Sequence, residues 1–310
     1  ITIYFLKLGY LGWFIGSFFI GLTSFIPFLW VVVKKIKLSF DFKINKKWIK
    51  RYLVIGLPVL PHFYSTYLLD VSDRLILDLY NISLEDIGLY SLAYIFGGYF
   101  SIIGIALGEA SGPMYMKLFR KENMKGEIEA RNLTFLMQTF LIILAFIFSI
   151  WLKEIFGLLI HNDNLIYAYS FGVVIIMSYS YRPIYFGPIS KLQYHYITKD
   201  LWKISFVAGI LNVLSNITLI PFFGIWGAVF STYISLMFMA FRGYFLKSYV
   251  QNSVVNYYPI FWFCLITIST ILVFILKDYS PIFKFFTSIF LLSIVYFFYK
   301  KFKSEILFKI

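Results

Sequence analysis

Apolar residues run along this chain in stretches of about 20, separated by short polar clusters. At the ~1.5 Å rise of an α-helix, such a stretch matches the ~30 Å hydrocarbon core of a bilayer. The pattern predicts nine membrane-spanning helices, over 8–33, 52–77, 87–107, 132–151, 165–194, 202–220, 225–246, 259–276 and 282–299. Composition agrees: 60% of the residues are hydrophobic, 22% aromatic and only 14% charged, against about a quarter charged in soluble domains. The expected fold class is an all-α integral membrane protein.

The formal charge of +13 does not point to nucleic acid, because Lys and Arg fall between the apolar runs and line no soluble face. They alternate from loop to loop, as the positive-inside rule requires. The loop after the first span holds Lys34, Lys35, Lys37, Lys43, Lys46, Lys47, Lys50 and Arg51, and the loop after the third holds Lys117, Arg120, Lys121, Lys125 and Arg131. Further cations follow the fifth span (Lys191, Lys199, Lys203), the seventh (Arg242, Lys247) and the ninth (Lys300, Lys301, Lys303, Lys309). The intervening loops are nearly bare of cations, and Asp78, Glu85 and Asp86 make one of them acidic. This places the carboxy terminus in the cytoplasm. Cys264, the single cysteine, sits in an apolar run and reads as a buried structural thiol. The chain starts at Ile1 without a signal-peptide pattern, and an amino-terminal truncation is expected.

Segment 34–51 is long and basic, and Ile36, Leu38, Phe40, Phe42, Ile44, Trp48 and Ile49 interrupt it. Two readings stand: a helix along the inner membrane surface, held by acyl-chain burial and anionic lipid at about 1 kcal/mol per cation, or an ordinary charged loop. In either case it links two helical bundles.

Ionisable groups inside the apolar runs are the candidate functional residues, since each costs about 2.5–3.5 kcal/mol at a helix centre. The second span carries Asp70, Asp73 and Arg74. Asp70 and Arg74, four residues apart, can pair on one helix face. The cluster reads as an outer-interface ion pair or as part of a transport path. Arg182 lies in the fifth span among Tyr179, Tyr181 and Tyr185, and is either buried and facing water or an anion, or a snorkelling anchor. Glu109, at the end of the third span, has the same two readings. Pro58 and Pro61 break the hydrogen-bond ladder early in the second span, and Gly97, Gly98, Gly104 and Gly108 allow the third to pack closely. Broken helices beside charges can line a transporter cavity. Asn212, Ser215 and Asn216 in the sixth span read as interhelical hydrogen-bonding groups or as ligands. His62, His161 and His195 are isolated, and neither metal-ligand spacing nor a phosphate loop occurs. The reading is therefore a non-enzyme without cofactor or metal.

Three stretches carry a resemblance: GLPVLPH at 56–62, VSDRLIL at 71–77 and IGLYSLAY at 87–94, with LNVLSNITLIPFFGIWGA at 211–228 as a second block. They resemble the polysaccharide-biosynthesis flippases, which export O-antigen or capsule repeat units and belong to the multidrug, oligosaccharidyl-lipid and polysaccharide exporter superfamily. Such proteins have twelve to fourteen spans in two bundles. The resemblance implies that 1–33 holds the last helix of the first bundle, 34–51 the linker, 52–250 a six-helix second bundle and 251–310 an accessory helix pair with a basic tail, with about five helices missing. It also implies an inner-membrane, multi-pass flippase for undecaprenyl-pyrophosphate-linked oligosaccharide, working by alternating access. Arg74, Arg182, Asn212 and Asn216 would contact substrate. Asp70, Asp73 and Glu109 would pair charge or couple an ion. The partners would be the lipid-linked glycan, membrane lipids and other polysaccharide assembly proteins. Glu109 departs from the family, where many members carry an amide, and Arg182 has no clear counterpart. The alternatives are a cation-coupled drug or metabolite antiporter of the same superfamily and, less favoured, a membrane polysaccharide polymerase or glycosyltransferase.

Overall fold

The computed structural model describes residues 9–36, 46–57, 60–160, 162–197 and 200–302, and among them every regular element is helical. Pro58, Lys37, Lys43, Lys199, Lys303 and Lys309 lie outside the described residues. Among the described residues, six helices are long and apolar enough to cross a membrane: Leu11–Lys35, Leu84–Phe119, Met124–Ile150, Trp202–Phe223, Ile225–Phe245 and Pro259–Leu276. The three remaining expected spans differ for local reasons. Helix α3 (Leu60–Leu79) is 20 residues long but carries Asp70, Asp73, Arg74 and Asp78. The fifth span is two helices, and the ninth has a shorter apolar portion, Pro281–Phe297.

The chain divides into two compact units at 54/55. The first contains α1 (Gly9–Trp30), a π-helical turn at Val31–Lys35, and most of α2 (Lys46–Gly56). Large apolar side chains such as Trp13, Phe18, Ile20 and Phe28 are exposed around α1, as on a helix surrounded by lipid.

The second unit holds α3, α4 (Leu84–Phe119), α5 (Met124–Ile150), α6 (Leu152–Leu159), α7 (Asp163–Ile166), α8 (Tyr169–Tyr179), α9 (Arg182–Tyr194), α10 (Trp202–Phe223), α11 (Ile225–Arg242), α12 (Lys247–Val250), α13 (Pro259–Leu276) and α14 (Pro281–Phe302). Ser83 caps α4, accepting from Asp86 N at 3.1 Å, with Glu85 and Asp86 in the first turn where the helix dipole favours them. Asn123 caps α5 through Gly126 N at 2.8 Å. Gly224 joins α10 to α11 at φ +55, a conformation only glycine adopts without strain. Helix α10 packs between α3 and α11, α4 packs on α8 and α9, α13 lies on α5 and α8, and α14 on α5. Polarity is inverted relative to a soluble protein. Asp73, Thr134, Gln138, Ser149, Ser178, Asn212, Asn216 and Ser235 are fully buried, while Ile102, Phe222, Ile260, Phe286 and Phe290 face outward; Cys264 is exposed as well, against the buried thiol expected from its apolar run. This is a multi-pass, all-α membrane protein, with lipid as the solvent of its apolar exterior.

Ion pairs gather at two ends of this unit. At one, Lys191 near the end of α9 pairs with Glu127 at the start of α5 (2.5 Å). At the other, Lys284 of α14, itself buried, pairs with Glu154 of α6 at 2.6 Å, and Lys153 pairs with Asp278 at 2.9 Å. The α13–α14 connection therefore shares a bundle end with α6. Breaking the buried pair by Glu154→Ala strands the Lys284 ammonium. Because Glu154 is partly exposed, the expected loss is about 2 kcal/mol, below the ~3–5 kcal/mol of a fully buried pair, and it is read as a lower Tm in detergent. Burial pushes the Asp278 carboxyl up, but hydrogen bonds from Lys277, Tyr169 and Lys153 outweigh it and hold the group below the usual carboxylate range. The same bond to Asp278 lifts Lys153 above its ordinary value. Asp278 thus contributes fully above about pH 4 and loses its contribution as pH falls further, whereas Lys153 contributes fully below about pH 10.5 and loses it as pH rises. Both groups are nearly half exposed, so Asp278→Asn is expected to cost under about 1 kcal/mol.

Candidate functional site

Two connected groups of polar side chains run through the second unit. The first is centred on Asp73 of α3, which is fully buried. Its carboxylate accepts from Tyr90 Oη of α4, from Asn216 Nδ2 of α10 at 2.5 Å and from Thr232 Oγ1 of α11 at 2.9 Å. Asn216 also donates to Asn212 Oδ1 at 3.1 Å, and Ser72 donates to the same oxygen at 2.7 Å. Four helices are thus tied through one carboxylate and two amides. Asn212 Nδ2 and Asn216 Oδ1 are buried without a partner.

The second group lies one turn away on a half-buried wall formed by α3, α4 and the junction of α8 with α9. Asp70 Oδ1 accepts from Tyr94 Oη at 2.8 Å, and Tyr179 Oη donates to Tyr94 Oη at 3.1 Å. The expected Asp70–Arg74 side-chain pair does not form. The Asp70 carboxylate turns toward Tyr94, and Arg74 Nη1 donates instead to the Asp70 main-chain carbonyl at 2.7 Å, with its Nε on Ser91 Oγ at 3.0 Å. The guanidinium lies 4.8 Å from the Tyr94 ring centroid, a cation–π contact. Arg182 Nη2 donates to Ser101 Oγ at 3.3 Å, its guanidinium is 6.0 Å from the Tyr179 ring, and its Nε is buried without a partner. Both arginine charges act on the Asp70 carboxylate. Since Ser91 and Ser101 are ten residues apart on α4, the arginines span a strip of about 15 Å along that helix. Two guanidinium groups against one carboxylate leave the strip cationic.

The position of Arg182 follows from a break in the fifth span. Pro183 lacks an N–H and clashes with the carbonyl four residues earlier, so α8 ends at Tyr179 and α9 starts at Arg182. The buried amide of Gln138, on α5, enters the gap. Its Nε2 donates to Ser180 O at 2.6 Å, and its Oε1 accepts from Ile184 N at 2.8 Å, replacing the direct bond between those two main-chain groups. Pro188 deprives Ile184 O of its helical donor in the same way, and Tyr244 Oη supplies one at 2.7 Å. The break is therefore fully hydrogen-bonded at these groups, as membrane interiors require. Gln138→Met keeps the volume and removes both bonds. It is expected to cost about 2–4 kcal/mol, read as a lower Tm in detergent. Close approach of α4 sets the rest: a Cβ on Gly97 would meet Ile175 at 2.4 Å, and one on Gly104 would meet the Arg182 stem at 3.2 Å. Gly108 faces Phe186, whereas Gly98 has open space.

Asn212 and Asn216 sit with Asp73, while Arg74, Arg182 and Asp70 share the strip. Glu109 belongs to neither group; it is exposed on α4 and makes no hydrogen bond or ion pair among the described residues. Pro61 falls in the first turn of α3. Tyr90, Tyr94, Gln138 and Thr232 were not singled out by sequence. An apolar cleft of about 610 Å³, lined by Val174, Trp226, Phe230, Thr267 and Phe274 among others, lies away from both groups.

No protein-family model, curated protein or solved structure matches the chain.

Proposed function

We propose that this chain is the second bundle of a flippase that moves undecaprenyl-pyrophosphate-linked oligosaccharide across the cytoplasmic membrane for surface polysaccharide synthesis. The observation that carries the proposal is the cationic strip. Arg74 and Arg182, half-buried on one wall of a bundle whose exterior is apolar, would cost several kcal/mol facing lipid and so call for a water-filled cavity and an anion. The first turn of α9 adds the positive end of its dipole beside Arg182. A diphosphate between a sugar and a lipid tail meets these requirements: guanidinium groups bind its oxygens through paired N–H donors, the sugar occupies water, and the tail stays in the bilayer. In this reading the six long apolar helices are joined by α3, the broken α8–α9 pair and α14 as nine crossings. The inner-membrane location, the cytoplasmic carboxy terminus and the roles of 1–33 and 251–310 belong to the same proposal.

Asp70 positions Arg74 through its main-chain carbonyl and tempers the cationic field between the arginines. Asp73 is assigned to coupling. A buried carboxylate with the oxygens of Asn212, Thr232 and Tyr90 around it suits a proton or a hard monovalent cation, and the orphaned Asn216 Oδ1 is a further acceptor that such a cation would use. An organic-cation antiporter would need a carboxylate open to its substrate. Asp73 is fully buried, the charges of Arg74 and Arg182 both act on Asp70, and Glu109, the one exposed carboxylate of the three, belongs to neither polar group, which favours the anion reading.

Deleting the gene is expected to leave complete undecaprenyl-linked repeat units on the inner leaflet while surface glycan disappears. Absent or shortened units would instead identify an assembly enzyme, and unaffected glycan would favour the antiporter.

A further inference from the structure

Segment 34–51 carries eight Lys and Arg residues against a single carboxylate, Asp41. The structure describes α2 (Lys46–Gly56), which begins inside this segment and runs past its end, as a helix of 11 residues, KKWIKRYLVIG. At 100° per residue, the register positions of Lys46, Lys47, Lys50 and Arg51 fall within an arc of about 140°. Those of Trp48, Ile49, Tyr52 and Leu53 fall within a second arc of about 140° on the opposite side. Its side chains are about half exposed: Trp48 is 49% exposed, Ile49 44%, Tyr52 64% and Leu53 55%, with the Trp48 and Tyr52 rings stacked at 5.9 Å. No acidic residue occupies the first turn, where Lys46 and Lys47 stand against the positive end of the helix dipole. A water-exposed helix would be destabilised by that arrangement, whereas a sheet of negative charge beside the amino-terminal turn reverses the sign.

We infer that α2 is a docking element for anionic lipid: its Trp48, Ile49, Tyr52 and Leu53 arc enters the acyl-chain boundary while the cationic arc collects phosphate head groups. Aromatic residues at one edge of the apolar arc suit the interfacial depth, and long cationic stems beside it reach back to the head groups. The attraction is screened within about 10 Å at 0.1 M salt, so it selects lipids in the first shell. The consequence is a local enrichment of anionic lipid around this protein, independent of what it transports.

The test uses the full-length protein with Cys264→Ala and Ile49→Cys, labelled with bimane at position 49 and placed in phosphatidylcholine vesicles containing a minor fraction of brominated lipid. Brominated phosphatidylglycerol is expected to quench the label more strongly than brominated phosphatidylcholine at equal fraction. The preference should fall by about fivefold for each engaged cation removed, reaching parity in the Lys46→Gln, Lys47→Gln, Lys50→Gln, Arg51→Gln variant. Raising salt to 1 M should shrink it in the parent protein, a comparison that needs no charge variant. Equal quenching by the two lipids in the parent would overturn the inference. So would the absence of quenching by either lipid, which would mean that protein or water covers the apolar arc.

Discussion

Arg182→Ala is expected to abolish export of the glycan while the protein remains folded in the membrane. The two halves of that result have separate causes. Arg182 contributes little to the fold: among the described residues its one side-chain hydrogen bond is a 3.3 Å contact to Ser101 and its Nε has no partner, and its stem rests against Gly104. The stability change should stay within about 1 kcal/mol, and removal of a half-buried cation offsets part of the lost packing. Its loss to a bound diphosphate is larger, because a charge-assisted hydrogen bond contributes about 1.5–3 kcal/mol and a guanidinium can supply two. Export should therefore fall at least about a hundredfold, measured as surface glycan against the amount of protein in the membrane. Arg182→Lys, which keeps the charge and loses the planar fork, should fall between. Normal export by Arg182→Ala would remove this residue from the site.

The second large effect is structural. Asp73→Leu deletes the acceptor shared by Tyr90, Asn216 and Thr232, leaving three buried donors to find other partners. Tyr90 and Thr232 already lie 3.3 Å apart and can satisfy one another, so the loss should be less than three full desolvation penalties, about 3–6 kcal/mol. A clear drop in Tm in detergent is the expected reading. Asp73→Asn keeps the shape and one acceptor oxygen. It should retain most of the stability and lose coupling, which separates the carboxylate's structural part from its charge. A Tm unchanged in Asp73→Leu would show that the four-helix tie does not hold the bundle together.

Six of the nine expected spans were legible because bilayer thickness imposes a length, and apolar runs of that length are hard to mistake. The broken fifth span was not, although its expected extent of 165–194 is longer than a straight crossing needs and Pro183 stands inside it. A proline in an apolar run kinks some helices and ends others. The outcome here depends on Gln138, which is more than 40 residues away in sequence and supplies hydrogen bonds to both sides of the gap. A lone amide inside the apolar run 132–151 was the available signal. Asp70, Asp73 and Arg74 stood out because charge inside a span is costly, and the two asparagines because they recur at helical spacing. Which of them meet was not readable. Arg74 prefers a main-chain carbonyl to the carboxylate four residues before it, since Tyr94 claims that carboxylate from another helix. Tyr90, Tyr94 and Thr232 escaped notice because tyrosine and threonine are unremarkable in membrane helices until tertiary packing brings them to a buried acid.

The central claim is that the arginine strip serves an anionic lipid-linked substrate crossing the membrane. The most direct measurement reconstitutes the complete protein in sealed vesicles with a fluorescent undecaprenyl-diphosphate oligosaccharide in one leaflet and follows the label with an impermeant quencher. Transfer to the opposite leaflet faster than in protein-free vesicles, reduced to that background by Arg182→Ala, is the predicted result. Transfer at the protein-free rate by the unmodified protein, across both proton and sodium gradients, would contradict the account.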